Sequence, residues 1–276
     1  MCGVLGCSAE IEQFSTDAES GSTHALVSVE RSTSIDGATT RADAFAGFVR
    51  VPADVESRPL FELLGLVSAL PQPGQCRERS ANPNATLSTI GHVELLEAGE
   101  VVVGVGDSET SLAPHAFPSV TDAISGVLYT TRDRSSTGLP AGARYVVRTS
   151  GGAGISGIAV GGDAPNELDA VQVNGRPLAE VTEVSTGRPI DLTWGPGTGN
   201  DLLYVELSSN EGKVSTICTF RDDAGAGSVA GAAFNGAGSG RLSLHRVRTA
   251  AFTSPGVDVG EVTFDFELAA DVSFSR

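Results

Sequence analysis

Lysine is almost missing from this 276-residue sequence: Lys213 is the only one, so arginine supplies nearly all the positive charge. Acidic side chains number 34 against 18 basic ones, and the net charge of -16 opposes binding to nucleic acid or to anionic lipid headgroups. Aromatic residues are also scarce. One tryptophan and three tyrosines make no platform for stacking bases or sugars, and few anchors for a tight protein interface. No apolar run is long enough to span a bilayer as a helix. The four histidines, His24, His92, His115 and His245, have no metal-ligand spacing, and no H-x-x-x-H, H-E-x-x-H or C-x-x-C occurs. No serine lies in G-x-S-x-G, and the glycine-rich runs lack both a P-loop lysine and a strand-to-helix G-x-G-x-x-G. The sequence therefore reads as a non-enzymatic protein that needs no cofactor.

What is abundant is turn-forming and strand-forming residue types. With 34 glycines, 13 prolines and 40% apolar residues, the chain has material for cores but little for long helices. Its length suits two domains. Period-two stretches predict strands near 24–31, 45–51, 87–96, 100–105, 124–130 and 144–149. After the punctuation at Gly151-Gly152-Ala153-Gly154, strands are expected at 155–160, 169–173, 190–194, 202–208, 213–221, 227–234, 241–247 and 261–274. Alternation is strongest where Leu203, Val205 and Leu207 share a face, where Val214, Thr216, Cys218 and Phe220 do, and where Val262, Phe264, Phe266 and Leu268 do. One segment differs. Ser57 can cap a helix over 58–69, with Pro59 in its first turn and Leu60, Leu63, Leu64 and Val67 on one side; it is expected to plug an open end of the first domain.

The expected fold class is all-β, with two β domains, the C-terminal one an immunoglobulin-like sandwich, and one short helix in the N-terminal domain. Boundaries follow as 1–22 for a polar tether, 23–149 for the N-terminal β domain and 150–276 for the sandwich.

The opening Met1-Cys2-Gly3-Val4-Leu5-Gly6-Cys7 places two cysteines within seven residues. One reading is a processed lipoprotein with lipid attached at Cys2, Cys7 being the rival site; the other is a plain tail. For the internal pair, Cys218 sits in an apolar row, which favours a reduced core thiol. A Cys76–Cys218 disulfide is the main alternative, with Cys7–Cys76 behind it. Trp194, two residues after Leu192, is expected in the core, and His245 on a solvated strand face. Asp222-Asp223, or Asp163 with Asn166 and Glu167, offer oxygen ligands of the calcium type, but at non-EF-hand spacing they read as solvated turn acids.

The run Asp191-Leu192-Thr193-Trp194-Gly195-Pro196-Gly197 is followed by Tyr204-Val205-Glu206-Leu207 and by Thr216-Ile217-Cys218-Thr219-Phe220 with Asp223-Ala224-Gly225. It closes on Gly240-Arg241-Leu242-Ser243-Leu244 and Arg246. Over residues 185–248 this resembles a pattern in the Gly/Thr-rich β-sandwich secreted lipoproteins of myxobacteria and related Gram-negative bacteria, a family without an assigned activity. The resemblance implies a sandwich fold and an extracytoplasmic place at the outer membrane or cell surface, and supplies no catalytic residue. The combined expectation is a structural, scaffolding or adhesion protein whose partners are other envelope or surface proteins. It touches the membrane only through the lipid anchor and binds no nucleic acid. The alternative is a module binding a glycan, peptide or calcium through loops at one end of the sandwich.

Overall fold

The computed structural model describes residues 21–37, 40–52, 57–79, 93–120, 124–131, 139–210 and 214–276. Cys2, Cys7, nearly all of the expected tether, His92 and Lys213 lie outside the described residues. Along the chain come β1 (Gly21–Ser34), β2 (Thr40–Pro52), α1 (Arg58–Leu63), β3 (Cys76–Glu78), β4 (Val93–Leu95), β5 (Val101–Val105), β6 (Ser108–Val120), β7 (Ile124–Thr130), β8 (Arg144–Thr149) and β9 (Ala159–Asp163). They are followed by β10 (Gln172–Val173), β11 (Arg176–Pro177), β12 (Glu183–Ser185), β13 (Ile190–Thr193), β14 (Leu202–Ser209), β15 (Val214–Arg221), β16 (Ala226–Val229), β17 (Gly238–Ser254) and β18 (Val257–Ser275).

The chain is all-β with two sheets. One has 14 strands in the order β3-β15-β14-β17-β18-β1-β2-β4-β7-β6-β5-β8-β9, with β12 also pairing β18; the other has four, β11-β10-β13-β16. β1 pairs antiparallel with β2 on one side and parallel with β18 on the other, so the first and last described strands lie side by side. That pairing carries the large sheet from strands before residue 150 to strands after it.

Period two on both faces explains why β1 and β2 are buried on both sides. Val27, Val29, Ala44, Ala46 and Phe48 face one core with Val262, Phe264 and Phe266 of β18, and the sheet curls so that Val101, Val103, Tyr145 and Val147 of β5 and β8 close it. Tyr145 packs on Phe264 at 5.1 Å and donates its hydroxyl proton to Pro140 O at 2.8 Å. A second core lies between the four-stranded sheet and β14, β15, β17 and the far end of β18, with Leu192, Trp194, Leu203, Val205, Leu207, Phe234 and Phe274 inside. The alternating rows read from the sequence face inward as expected.

The hairpin of β17 and β18 serves both cores. Along β18 the inward row stays apolar from Val262 to Phe274, but along β17 it runs Leu242, Leu244, Arg246, Arg248, so two arginines fall where the cores meet.

The helix is shorter than its apolar spacing suggests. It spans six residues and stops before Gly65, which has φ +70 and turns the chain. Ser57 makes no side-chain cap; its hydroxyl lies 2.7 Å from His24 Nδ1 instead. The helix does not plug a domain end. Leu60, Phe61 and Leu66 cover the outer face of β1, β2, β4 and β7 through Leu26, Phe45, Val49, Val93, Leu95 and Leu128.

Candidate functional site

After the helix, Leu64, Leu66 and Val67 stay on the outer cluster over β1, β2, β4 and β7, and the chain then reaches β3, which zips onto the free edge of β15. Thr216, Ile217 and Cys218 face Glu78, Arg77 and Cys76 in register, and flanking bonds from Gly74 N to Thr219 O and Arg79 N to Ser215 O extend the pairing. The register puts Cys76 opposite Cys218 with their Cα atoms 4.0 Å apart, and the two form a disulfide. Cys218 keeps the expected core position, at 1% exposure, but the expected reduced thiol is wrong. Its partner lies 142 residues earlier, and only the β3–β15 pairing brings them together.

Where the two cores meet, Arg246 and Arg248 reach into the loops around them. Arg246 Nη1 donates to Glu167 O at 3.0 Å and Nη2 to Asp222 Oδ1 at 3.1 Å and to Gly195 O, while Nε lies 2.7 Å from Asp222 Oδ2 as an ion pair without hydrogen-bond alignment. Arg248 grips Asp201 with both ends of its fork, at 2.7 Å each, and donates to Asp163 O and Ala164 O. Trp194 is in the core as expected, donating its Nε1–H to Asp222 O at 2.9 Å. Asp222 has 0% exposure, which corrects the expectation of a solvated turn acid. Burial pushes the Asp222 carboxyl up against the pull of Arg246. Burial alone would raise Asp201 too, but the bonds from Arg248 and Thr198 outweigh it and hold that carboxyl below its ordinary range. The Trp194-Gly195-Pro196-Gly197 run, Asp223-Ala224-Gly225 and Arg246 thus converge on one polar rivet between the cores.

The second polar group lies on the outer face of the same strands. Ser243 Oγ is 3.0 Å from His245 Nε2, and His245 Nδ1 is 2.8 Å from Asp265 Oδ1. Tyr204 stacks on the imidazole at 4.1 Å between ring centroids and donates its hydroxyl to Asp265 Oδ2 at 2.7 Å. The His245 side chain is only 12% exposed, so the expected solvated face position is also corrected. Cross-strand neighbours, invisible in a single strand's pattern, enclose it. Burial pulls His245 down, but Asp265, by field and hydrogen bond, and then Glu267 and Glu206 outweigh it, and its pKa rises above the ordinary histidine value.

Serine, histidine and aspartate here follow the connectivity of a hydrolytic triad. The surroundings do not match that chemistry. Ser243 is 4% exposed and sits in the middle of β17, whose backbone is paired on both sides with Glu206 of β14 and Ala269 of β18, so its neighbouring N–H groups serve the ladder. Glu206 and Glu267 beside it would repel an oxyanion where a hydrolase supplies donors. Small clefts open beside His24 and Phe61 and beside Arg31 and Glu167, and neither is lined by Ser243 or His245.

His24 is likewise held by a serine, Ser57, and burial lowers its pKa despite Asp258 and Glu261 nearby. Among the proposed oxygen ligands, Asp163 pairs with Arg144 at 3.0 Å and Glu167 with Arg31 at 2.5 Å. Among the described residues no group of three or more His, Cys, Asp or Glu could hold a metal ion, and no helix is long and apolar enough to cross a membrane. Comparison with protein-family models and with curated proteins finds no match for this chain.

Proposed function

We propose that this protein is a non-enzymatic scaffold of the cell envelope or surface, working outside the cytoplasm. The Cys76–Cys218 disulfide carries this reading, because such bridges form and persist in oxidising compartments. The bridge, the arginine–aspartate rivet and the double-faced β1 and β2 tie distant parts of the chain into one stiff body, which suits a spacer, an adhesin or a subunit of a surface assembly. The reading keeps residues 150–276 as an immunoglobulin-like sandwich, supported by two facing sheets with Trp194 between them. It keeps Cys2 as the lipid attachment point and other envelope proteins as partners. The buried Ser243 and its acidic neighbours weigh against a hydrolase.

Two measurements on native cells test this reading. The protein is expected in the envelope fraction with a diacylglyceryl adduct on its Cys2 peptide, and Cys2→Ser is expected to release it. A soluble cytoplasmic protein would overturn the proposal. A fluorophosphonate probe is expected to leave Ser243 unlabelled; stoichiometric labelling would make the protein a hydrolase.

A further inference from the structure

The outer face of the large sheet crowds carboxylates across neighbouring strands. In one row, Asp43 of β2 stands opposite Glu30 of β1, which stands opposite Asp265 of β18. In the next row Glu267 of β18 faces His245 of β17, which faces Tyr204 of β14, and one row on Glu206 faces Ser243. Like charges opposite one another weaken strand pairing, so the counter-charges matter. Arg41 pairs with Asp43 at 2.7 Å, Arg241 with Glu267 at 3.1 Å and Arg79 with Glu206 at 2.9 Å. His245 is the one counter-charge in this set that titrates near neutral pH.

We propose that His245 is a pH-sensitive clasp: as imidazolium it binds β14, β17 and β18 together and helps seat residues 64–79, which meet β14 at Ser68 and Arg79, and deprotonation loosens that segment. The connection is a continuous chain of contacts. Protonated, the ring donates from Nδ1 to Asp265 and from Nε2 to Ser243, whose hydroxyl rotates to accept, so both states are hydrogen-bonded and only the charge changes. The cation lies against the Tyr204 ring face, where the quadrupole attracts it. Asp265 fixes the Tyr204 hydroxyl, and Ser68 of that segment lies near enough to the same hydroxyl to act on it. Arg79, at the far end of the segment, is held by Glu206, which in turn accepts from Ser215 at 2.6 Å.

The groups facing His245 are Tyr204 and Glu206 from β14, Ser243 from its own strand, Asp265 and Glu267 from β18, and Ser68 through Tyr204, with Glu30 of β1 beside Asp265. Arg241 bonds Glu267, and the acids still outweigh burial. A histidine whose folded pKa is raised contributes stability that is fully present below its unfolded value of about 6.5 and is lost as pH rises through the folded pKa. The clasp is therefore closed in mildly acidic surroundings and opens on the alkaline side.

The test uses the full oxidised chain. NMR titration, with the His245 signal assigned by its loss in His245→Gln, is expected to give a midpoint above about 6.5. Hydrogen exchange, corrected for intrinsic rates, is expected to show residues 64–79 losing protection severalfold from about one pH unit below the measured midpoint to about one unit above it, with no such change in His245→Gln. A midpoint at or below the ordinary value, or unchanged protection of 64–79 in the wild type, overturns the proposal. Both readouts come from the wild-type protein, so they decide the matter even if the variant fails to fold; the signal is then assigned through-bond.

Discussion

Arg246 and Asp222 form a fully enclosed ion pair between the two cores, Nε to Oδ2 at 2.7 Å, with the guanidinium also holding backbone carbonyls of the segment that links β9 to β10. Enclosing two charges costs about as much as their attraction returns, but removing one partner leaves the other uncompensated. Arg246→Ala is therefore expected to destabilise the protein by about 3–5 kcal/mol in urea unfolding. Arg246→Met combined with Asp222→Leu is expected to recover part of that loss. A single-variant cost below about 1 kcal/mol, the range of an exposed pair, would show that the rivet is not enclosed.

Two glycines of the same loop are expected to respond differently. A methyl added at Gly197 would overlap the Asp222 carboxylate, which Arg246 pins in place, while one at Gly199 would meet only Asp223 Oδ2 at 3.7 Å. Gly197→Ala should cost roughly 1–3 kcal/mol, as overpacking does, and Gly199→Ala should stay within about 0.5 kcal/mol. Equal effects would contradict the close approach at Gly197.

The strands with clean alternation were legible because local period alone decides which side is buried: Leu203, Val205 and Leu207, or Phe264 and Phe266, needed no knowledge of partners. What failed depended on partners far away in sequence. His245, between Leu244 and Arg246, has the local pattern of a solvated position and becomes enclosed only because Tyr204 and Asp265 flank it. Asp222 looks like a turn acid until Arg246 arrives on another strand. Cys76 lies in a stretch rich in turn residues, and nothing local says that Arg77 and Glu78 will pair with β15. The apolar spacing that predicts a longer helix continues past Gly65, where the positive φ turns the chain. The motif at 191–197 was visible as a pattern, but its purpose, closing over Asp222 and Asp201, appears only in three dimensions.

The most direct test of the scaffold reading is the oxidation state of the internal cysteines in protein taken from native envelope material. Thiols are blocked at once by alkylation, the protein is digested without reductant, and the peptides are mapped by mass spectrometry. The expected product is one linked peptide pair containing Cys76 and Cys218, and reduction is expected to lower stability by about 2–5 kcal/mol. Recovery of both cysteines as alkylated, unlinked peptides would contradict the account: the protein would then carry reduced thiols, and its place outside the cytoplasm would lose the observation that carries it.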